Sequence, residues 1–169
     1  MHPFFELLNS VQMKRLFTLL AIITAFSGSA QTDEKEAIMK VVDQVFEAMR
    51  TNDSTLLKQC FVEKPNTFTV FTNQEGKTMF VSDDFQKFIT AIGQPKEQTW
   101  NEPIWNEKVE IDVPLAQVWV DYAFYVDDQF SHCGVDAFHL VKLQGAWKIF
   151  HLVDTRRRSN CEVPNEVKP

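Results

Sequence analysis

Apolar side chains in the first half of the chain recur at the spacing of an amphipathic helix. Ile38, Val41, Val42, Val45, Phe46 and Met49 follow one another at steps of three and four residues. A second, shorter pattern contains Leu56, Leu57, Cys60 and Phe61, and a third contains Phe85, Phe88, Ile89 and Ile92. Ser54 and Ser82 are the expected N-caps of these two helices. Between them, two short β-rich runs flank Glu75–Gly76, which predicts a hairpin.

The second half is rich in β-branched and aromatic residues and predicts four strands. They cover residues 100–113, 117–126, 131–143 and 146–154, and are separated by Pro114, Asp127–Asp128 and Gln144–Gly145. Helices followed by an antiparallel meander indicate an α+β domain. We therefore expect N-terminal helices packed on one side of a curved, mostly antiparallel sheet.

The turns predict which strand residues are paired. A two-residue turn at Gln144–Gly145 places His151 opposite Phe138, one diagonal step from Asp136. A similar turn at Asp127–Asp128 places Asp136 opposite Trp119. One face of the sheet then contains Trp119, Asp121, Tyr125, His132, Asp136, Phe138, Trp147, Ile149 and His151, and the other contains Val118, Val120, Tyr122, Phe124, Cys133, Val135, His139, Phe150, Leu152, Asp154 and Arg156.

Both predicted faces are substantially apolar, and helices can cover only one of them. The uncovered face predicts a homodimer that forms through the sheet.

Residues 1–30 have the pattern of a secretory signal peptide. Lys14 and Arg15 precede the apolar run 16–26, and Gly28 and Ala30 form a small-residue cleavage site. The run is shorter than the roughly 20 residues of a membrane-spanning helix, which favours a cleaved signal over the alternative of a retained anchor. Met13 is a candidate for the true start. We expect a single secreted or periplasmic domain over residues 31–169, with no membrane attachment after cleavage.

Charge and cysteine content limit the partners, disulfides and metal sites that we expect. The net charge of −6 argues against nucleic acid as a partner, because phosphate-backbone binders normally carry excess positive charge. Cys60 falls on a helical apolar stripe, so Cys133 with Cys161 is the preferred disulfide pair. A metal site is the alternative, but no Cys-x-x-Cys or His-x₃-His spacing supports it. No motif indicates a cofactor.

Several segments resemble the nuclear transport factor 2-like and ketosteroid isomerase-like superfamily, which includes the SnoaL-like proteins. They are the helix end Arg50-Thr51-Asn52-Asp53 with Leu56-Leu57, and the closing strand Gly145-Ala146-Trp147-Lys148-Ile149. The runs 130–138 and 154–158 look like its secreted bacterial lumazine-binding-like branch. The resemblance implies a cone-shaped fold whose pocket lies between the helices and the concave sheet face. The superfamily includes isomerases, dehydratases, cyclases and non-catalytic binders.

Asp136 and His151 are the candidate catalytic residues. Desolvation in mid-strand would raise the pKa of Asp136 and make it a general base or a neutral donor, and His151 could shuttle a proton. The alternative is a structural network of Asp136 with His151 or His132. Asp154 beside Arg156, Arg157 and Arg158 is either a local ion pair or a docking site for an anionic group. The expected pocket contains His132, Asp121, Trp119, Tyr125, Phe138, Trp105, Asp154 and Arg156.

These observations favour a small-molecule-binding domain of unknown ligand. The alternative is an isomerase, dehydratase or cyclase in which an Asp–His pair transfers protons. A second alternative is a protein-interaction module that uses the exposed sheet face.

Overall fold

A computed structural model describes residues 32–169 of the chain. The chain is divided into two compact units after Glu36, and the second, Ala37–Pro169, contains every strand found among the described residues. The expected signal peptide over residues 1–30 lies outside the described residues. None of the described helices combines the length and apolar content that a membrane-spanning helix needs.

Helix α1 covers residues 32–51, α2 covers Ser54–Cys60 and α3 covers Phe85–Gly93. Aspartates cap the second and third helices, where serines were expected. The Asp53 carboxylate accepts hydrogen bonds from two backbone N–H groups at the start of α2, and Asp84 does the same for α3. A carboxylate also interacts favourably with the positive end of the helix dipole, which explains why aspartate and not serine caps these helices.

Within residues 32–169, seven strands form a single sheet. They are β1 (Phe61–Thr72), β2 (Thr78–Asp83), β3 (Trp100–Asn101), β4 (Ile104–Asp112), β5 (Leu115–Val126), β6 (Gln129–Leu143) and β7 (Ala146–Arg156). The strand order is β2-β1-β7-β6-β5-β3, and β4 also pairs with β5. The α+β prediction is confirmed, but the sheet is mixed because β1 runs parallel to β7. A short 3₁₀ helix at Asn165–Val167 follows the sheet.

Two predicted elements differ in their limits. Phe61 was expected on a helix, but it begins β1 and packs its ring against Phe85. The strand expected over residues 100–113 is interrupted at Glu102 and Pro103. Proline lacks a backbone N–H and cannot continue the ladder, so the chain forms two shorter strands along β5.

The expected turns are present, but the register predicted from them is wrong. Near the Asp127–Asp128 turn, Tyr125 pairs with Phe130 as expected, and the next pair is Phe124 with His132. Ser131 is therefore an extra, unpaired residue. Asp136 consequently lies opposite Val120 and not opposite Trp119. One inserted residue moves every later side chain to the other face relative to its expected partner.

A second irregularity shifts the pairing of β6 with β7 by one residue from the expected register. Leu140 pairs with Ile149 as the turn predicts, whereas His139 pairs with His151, which leaves Phe150 unpaired. Asp136 is then opposite Asp154. The two irregularities place Asp136 on the inner face, toward the helices, and His151 on the outer face.

The main core lies between the inner face and the helices. It buries Val42, Val45, Leu57, Ile89, Ile92, Val118, Val120, Phe138, Leu140, Trp147 and Ile149. A smaller cluster on the outer face contains Ala123, Tyr125 and Cys133, with Trp105, Cys161 and Val163 against it. Elsewhere the outer face is open, and about half of the Trp119 and Leu115 surfaces is exposed. The homodimer stays a prediction.

Candidate ligand-binding site

A cavity of about 110 Å³ lies between the helices and the inner face of the sheet. Its apolar wall consists of Val45, Phe46, Met49, Phe88, Phe138 and Leu152, and its polar wall consists of Thr67, Glu102, Tyr122, His132, Asp136, Asp154 and Arg156. We call this space the inner cavity. Desolvation in this cavity penalises the charged form of a carboxyl group and raises its pKa.

Two carboxyl groups of the inner cavity, Glu102 and Asp136, are hydrogen-bonded to each other. Burial raises the pKa of Glu102 to about 8, with a further contribution from Asp154. Burial also raises the pKa of Asp136 well above its usual value, and the neighbouring Glu102 and Asp154 add to this. Because both pKa values are raised and that of Glu102 is about 8, the pair retains a proton at neutral pH.

Asp136 lines the cavity, and one of its carboxyl oxygens is buried without a hydrogen-bond donor in the described part of the chain. Asp136 Oδ2 is buried and has no hydrogen-bond partner among the described residues. An unsatisfied buried polar atom costs about 1–3 kcal/mol, so a group that bonded to it would gain that energy. The carboxyl pair therefore offers a buried acceptor to a donor group that reaches it from the cavity.

Both carboxylate oxygens of Asp154, in contrast, have hydrogen-bond partners. Arg156 Nε donates to its Oδ2 over 2.6 Å, and Thr69 Oγ1 lies 2.6 Å from its Oδ1. The Tyr122 hydroxyl lies 3.3 Å from Oδ2 and donates over 2.9 Å to the Thr155 carbonyl. Burial and the nearby carboxyl groups raise the pKa of Tyr122 above its usual value, so the phenol stays neutral.

Gly134 makes this arrangement possible. A Cβ atom there would lie 1.7 Å from the Thr155 carbonyl oxygen and 2.8 Å from the Tyr122 ring. Only glycine permits the two strands to approach this closely, which brings the Tyr122 hydroxyl within reach of Thr155.

His132 lies at the edge of the inner cavity beside the rings of Tyr122 and Phe124. Its Nδ1 is 3.0 Å from Ser131 Oγ. Burial, together with the charges of Arg156 and Arg158, lowers the pKa of His132 to about 4. The imidazole is therefore neutral at pH 7 and can accept or donate one hydrogen bond.

A second, open hollow of about 740 Å³ lies beyond His132 and Arg156, which line both spaces. We call it the outer basin. Its other lining residues are Thr69, Phe71, Thr72, Asn73, Gln74, Val81, Asp83, Ser131, Arg157 and Arg158. His132 and Arg156 thus lie between a smaller space and a larger one.

The structure brings five of the ten residues proposed for the site to the inner cavity. They are Asp136, His132, Phe138, Asp154 and Arg156. Glu102, Tyr122 and Thr67 were missed. Tyr122 was assigned to the opposite face by the register error. Glu102 did carry a signal, since it is an acidic residue between Trp100 and Trp105 in a segment expected to be a strand.

The expected contact between Asp136 and His151 is absent, which corrects the proposed catalytic pair. On the outer face, His151 Nδ1 lies 2.8 Å from His139 Nδ1, and its ring lies against Phe68. Burial and the neighbouring His139 lower the pKa of His151. The physical reason for the error is the unpaired Phe150, which turns His151 away from the cavity.

The other four residues also lie away from the inner cavity. Trp105 and Tyr125 pack in the outer cluster around a disulfide that joins Cys133 to Cys161. Asp121 accepts a hydrogen bond from Asn106 Nδ2 over 2.8 Å, and Trp119 is half exposed. Cys60 is a buried free cysteine.

No group of three or more His, Cys, Asp or Glu side chains within residues 32–169 is arranged to hold a metal ion.

The strand order and the cavity beneath the helices define a nuclear transport factor 2-like fold. The chain belongs to the family described as putative lumazine-binding, whose model matches residues 33–153. No match was found among the curated proteins.

Solved structures share this fold at low identity. A nuclear transport factor 2-like protein of unknown function from Shewanella baltica is 20% identical, with a TM-score of 0.57, over 76% of this chain and 97% of that one. A protein described as a putative scytalone dehydratase from Novosphingobium aromaticivorans is 16% identical, with a TM-score of 0.62, over 84% and 96%. A nuclear transport factor 2-like protein from Cytophaga hutchinsonii is 13% identical, with a TM-score of 0.57, over 73% and 98%.

The raised pKa of Glu102 predicts a specific dependence of stability on pH. The pKa of Glu102 is near 4.5 in the unfolded chain and about 8 in the folded protein, so the folded state binds the proton more tightly. The free energy of unfolding therefore falls as the pH rises from about 4.5 to about 8. His132 has the opposite effect between about 4 and 6.5, because its pKa is lowered. Between pH 6.5 and 8 the slope therefore reports the Glu102–Asp136 pair, and it is at most about 1.4 kcal/mol per pH unit for each proton that the pair retains.

Urea unfolding across pH 6.5–8 measures this slope. Glu102→Gln should flatten it, because the amide does not titrate, and Glu75→Gln in the exposed hairpin turn should retain it. A wild-type stability that rises or stays constant over this range would contradict the assignment.

Proposed function

We propose that the domain binds a small organic molecule, whose polar group contacts the Glu102–Asp136 pair and whose apolar part fills the inner cavity. The observation that carries this proposal is the position of Asp136, which lines a cavity with an apolar wall and has a buried Oδ2 without a hydrogen-bond donor among residues 32–169. Ligand sites commonly combine an apolar lining with a few convergent polar groups, which is the composition found here.

The size of the inner cavity limits what can enter. Its volume of about 110 Å³ is slightly below the roughly 150 Å³ of an engineered apolar cavity that accepts benzene. One small ring with a hydroxyl or carbonyl group matches this space and the hydrogen-bonding capacity of the carboxyl pair. A bulkier ligand would have to extend past His132 into the outer basin.

Filling the inner cavity should abolish binding. Met49 lines the cavity, whereas Met39 lies on the same helix outside the lining, so Met49→Trp and Met39→Trp form a matched pair. With phenol as the probe, we expect calorimetry to show affinity at least about tenfold weaker for Met49→Trp, because the added indole occupies the space. Met39→Trp should bind like the wild type. Equal affinity of all three proteins would refute an inner binding site.

A proton-transfer enzyme is the second candidate function, and the raised pKa values of Glu102 and Asp136 favour it. A pair that shares one proton offers a base and an acid side by side. Asp136 or Glu102 would take a proton from a carbon next to a carbonyl, and the protonated partner would donate to the carbonyl oxygen. The Asp–His pair expected from sequence is replaced by a carboxyl pair in this mechanism.

This candidate predicts catalysed deuterium exchange at the carbon next to the carbonyl of cyclohexanone, followed by NMR. The rate should pass through a maximum with pH, because the reaction needs one proton on the pair, and should fall about 100-fold or more in Asp136→Asn. Asp121→Asn, on the outer face, is the matched control and should keep the wild-type rate. If the wild type and Asp136→Asn exchange equally fast, the pair is not catalytic and binding remains the function.

We also propose that the protein is exported to the periplasm or the exterior. The disulfide between Cys133 and Cys161 supports this, because such bonds persist in oxidising compartments. Fractionation of expressing cells should recover a shortened chain beginning near Gln31 outside the cytoplasm. Recovery of only the full-length chain in the cytoplasm would contradict export.

A further inference from the structure

We propose that the outer basin binds an anionic group, a carboxylate or a phosphate, of the same small molecule whose apolar end enters the inner cavity. Arg157 and Arg158 would hold that group. This inference rests on the proposed function, since it assigns a second contact to the ligand of the inner cavity.

The distribution of arginine is the first observation. The whole chain has a net charge of −6 and contains five arginines, of which three, Arg156, Arg157 and Arg158, line the outer basin. A guanidinium group presents planar, forked donors that match a carboxylate or a phosphate in a bidentate geometry. An acidic protein therefore concentrates its best anion-binding side chains at one hollow.

The pairing of these arginines is the second observation. Arg156 is neutralised by its 2.6 Å contact with Asp154. Arg157 donates from Nε to the Asn160 carbonyl over 3.4 Å, which leaves its two terminal amino groups available. Arg158 forms no ion pair with any described residue. Asp83 also lines the basin, but it lies 2.6 Å from the Thr69 hydroxyl and forms no ion pair with the described residues. Two positive charges at the basin thus lack a carboxylate partner.

The backbone that carries these arginines is fixed, which lowers the entropic cost of binding. Arg157 and Cys133 exchange two backbone hydrogen bonds of 2.9 Å. The disulfide from Cys133 to Cys161 then ties down the chain that follows Arg158. The guanidinium groups are exposed, but the backbone of Arg157 is bridged to Cys133 and Arg158 follows it directly.

The outer basin also adjoins the inner cavity. His132 and Arg156 line both, and the charge of Arg158 acts on the His132 ring, which places Arg158 near the junction. Phe71 and Val81 give the basin an apolar surface as well. The combined shape therefore suits a ligand with an apolar inner end, a short linker and an anionic outer end.

Three probes that share a phenyl ring test this proposal. They are 3-phenylpropanoate, its neutral amide, and 2-phenylethyl phosphate, and their affinities are measured by calorimetry at low and at raised salt. The variants are the double substitution Arg157→Gln with Arg158→Gln, and Arg50→Gln as a control. Arg50 pairs with Glu47 on the exposed surface of α1, so the control removes an arginine charge away from the basin.

We expect the wild type to bind at least one of the two anions about tenfold or more tightly than the amide, with the advantage reduced by salt. Whether the carboxylate or the phosphate is preferred identifies the anion. The double variant should lose this advantage and bind the amide as before, and Arg50→Gln should retain it. Failure of both anions to bind more tightly than the amide, or an unchanged advantage in the double variant, would overturn the anion site.

Met49→Trp separates this result from the proposed function. If that variant loses amide binding but the wild type shows no preference for anions, the inner site stands and the anion site fails. If Met49→Trp binds every probe normally and the arginine variant loses the anion advantage, the arginines do bind anions but the inner cavity is not the ligand site.

Discussion

Two unpaired residues in the sheet, Ser131 and Phe150, decide which side chains meet beneath the helices. Each shifts the pairing of its strand by one position, and a shift of one exchanges the two faces of a strand relative to its neighbour. Asp136 faces the interior opposite Asp154 because of these shifts. The carboxyl groups, the phenol of Tyr122 and the imidazole of His132 converge as a result.

That convergence is energetically demanding. Three carboxyl groups, Glu102, Asp136 and Asp154, lie around one small cavity, and the structure accommodates them in two different ways. Asp154 is stabilised as an ion by Arg156 and hydrogen bonds. Glu102 and Asp136 have no cation of their own and instead share a proton. The same cavity therefore separates a structural carboxylate from a chemically responsive pair.

The position of Arg156 links the two parts of the site. It neutralises Asp154 at the inner cavity, and it also lines the outer basin beside Arg157 and Arg158. Moving outward from the carboxyl pair, the surroundings change from acidic to neutral at His132 and then to basic. A polarity gradient of this kind favours one orientation of an elongated ligand, with its neutral end inside.

The sequence alone was sufficient for the fold class, the turns and several individual site residues. Helical and alternating periodicities are local properties, and they are strong at Ile38–Met49 and along residues 117–126. Asp136 and His132 stood out because burying a polar side chain in a strand costs free energy unless a partner compensates for it, and this holds whichever residue the partner is.

Tertiary structure alone decided the partners. A periodicity argument assumes an uninterrupted ladder of paired residues. Ser131 and Phe150 interrupt it, and nothing in the surrounding sequence distinguishes them as unpaired residues. The contact of Glu102 with Asp136 joins residues far apart in the chain, and it arises only when β3, β5 and β6 lie side by side. The sequence thus determined which groups could do chemistry, and the register of the folded sheet determined which of them face one another.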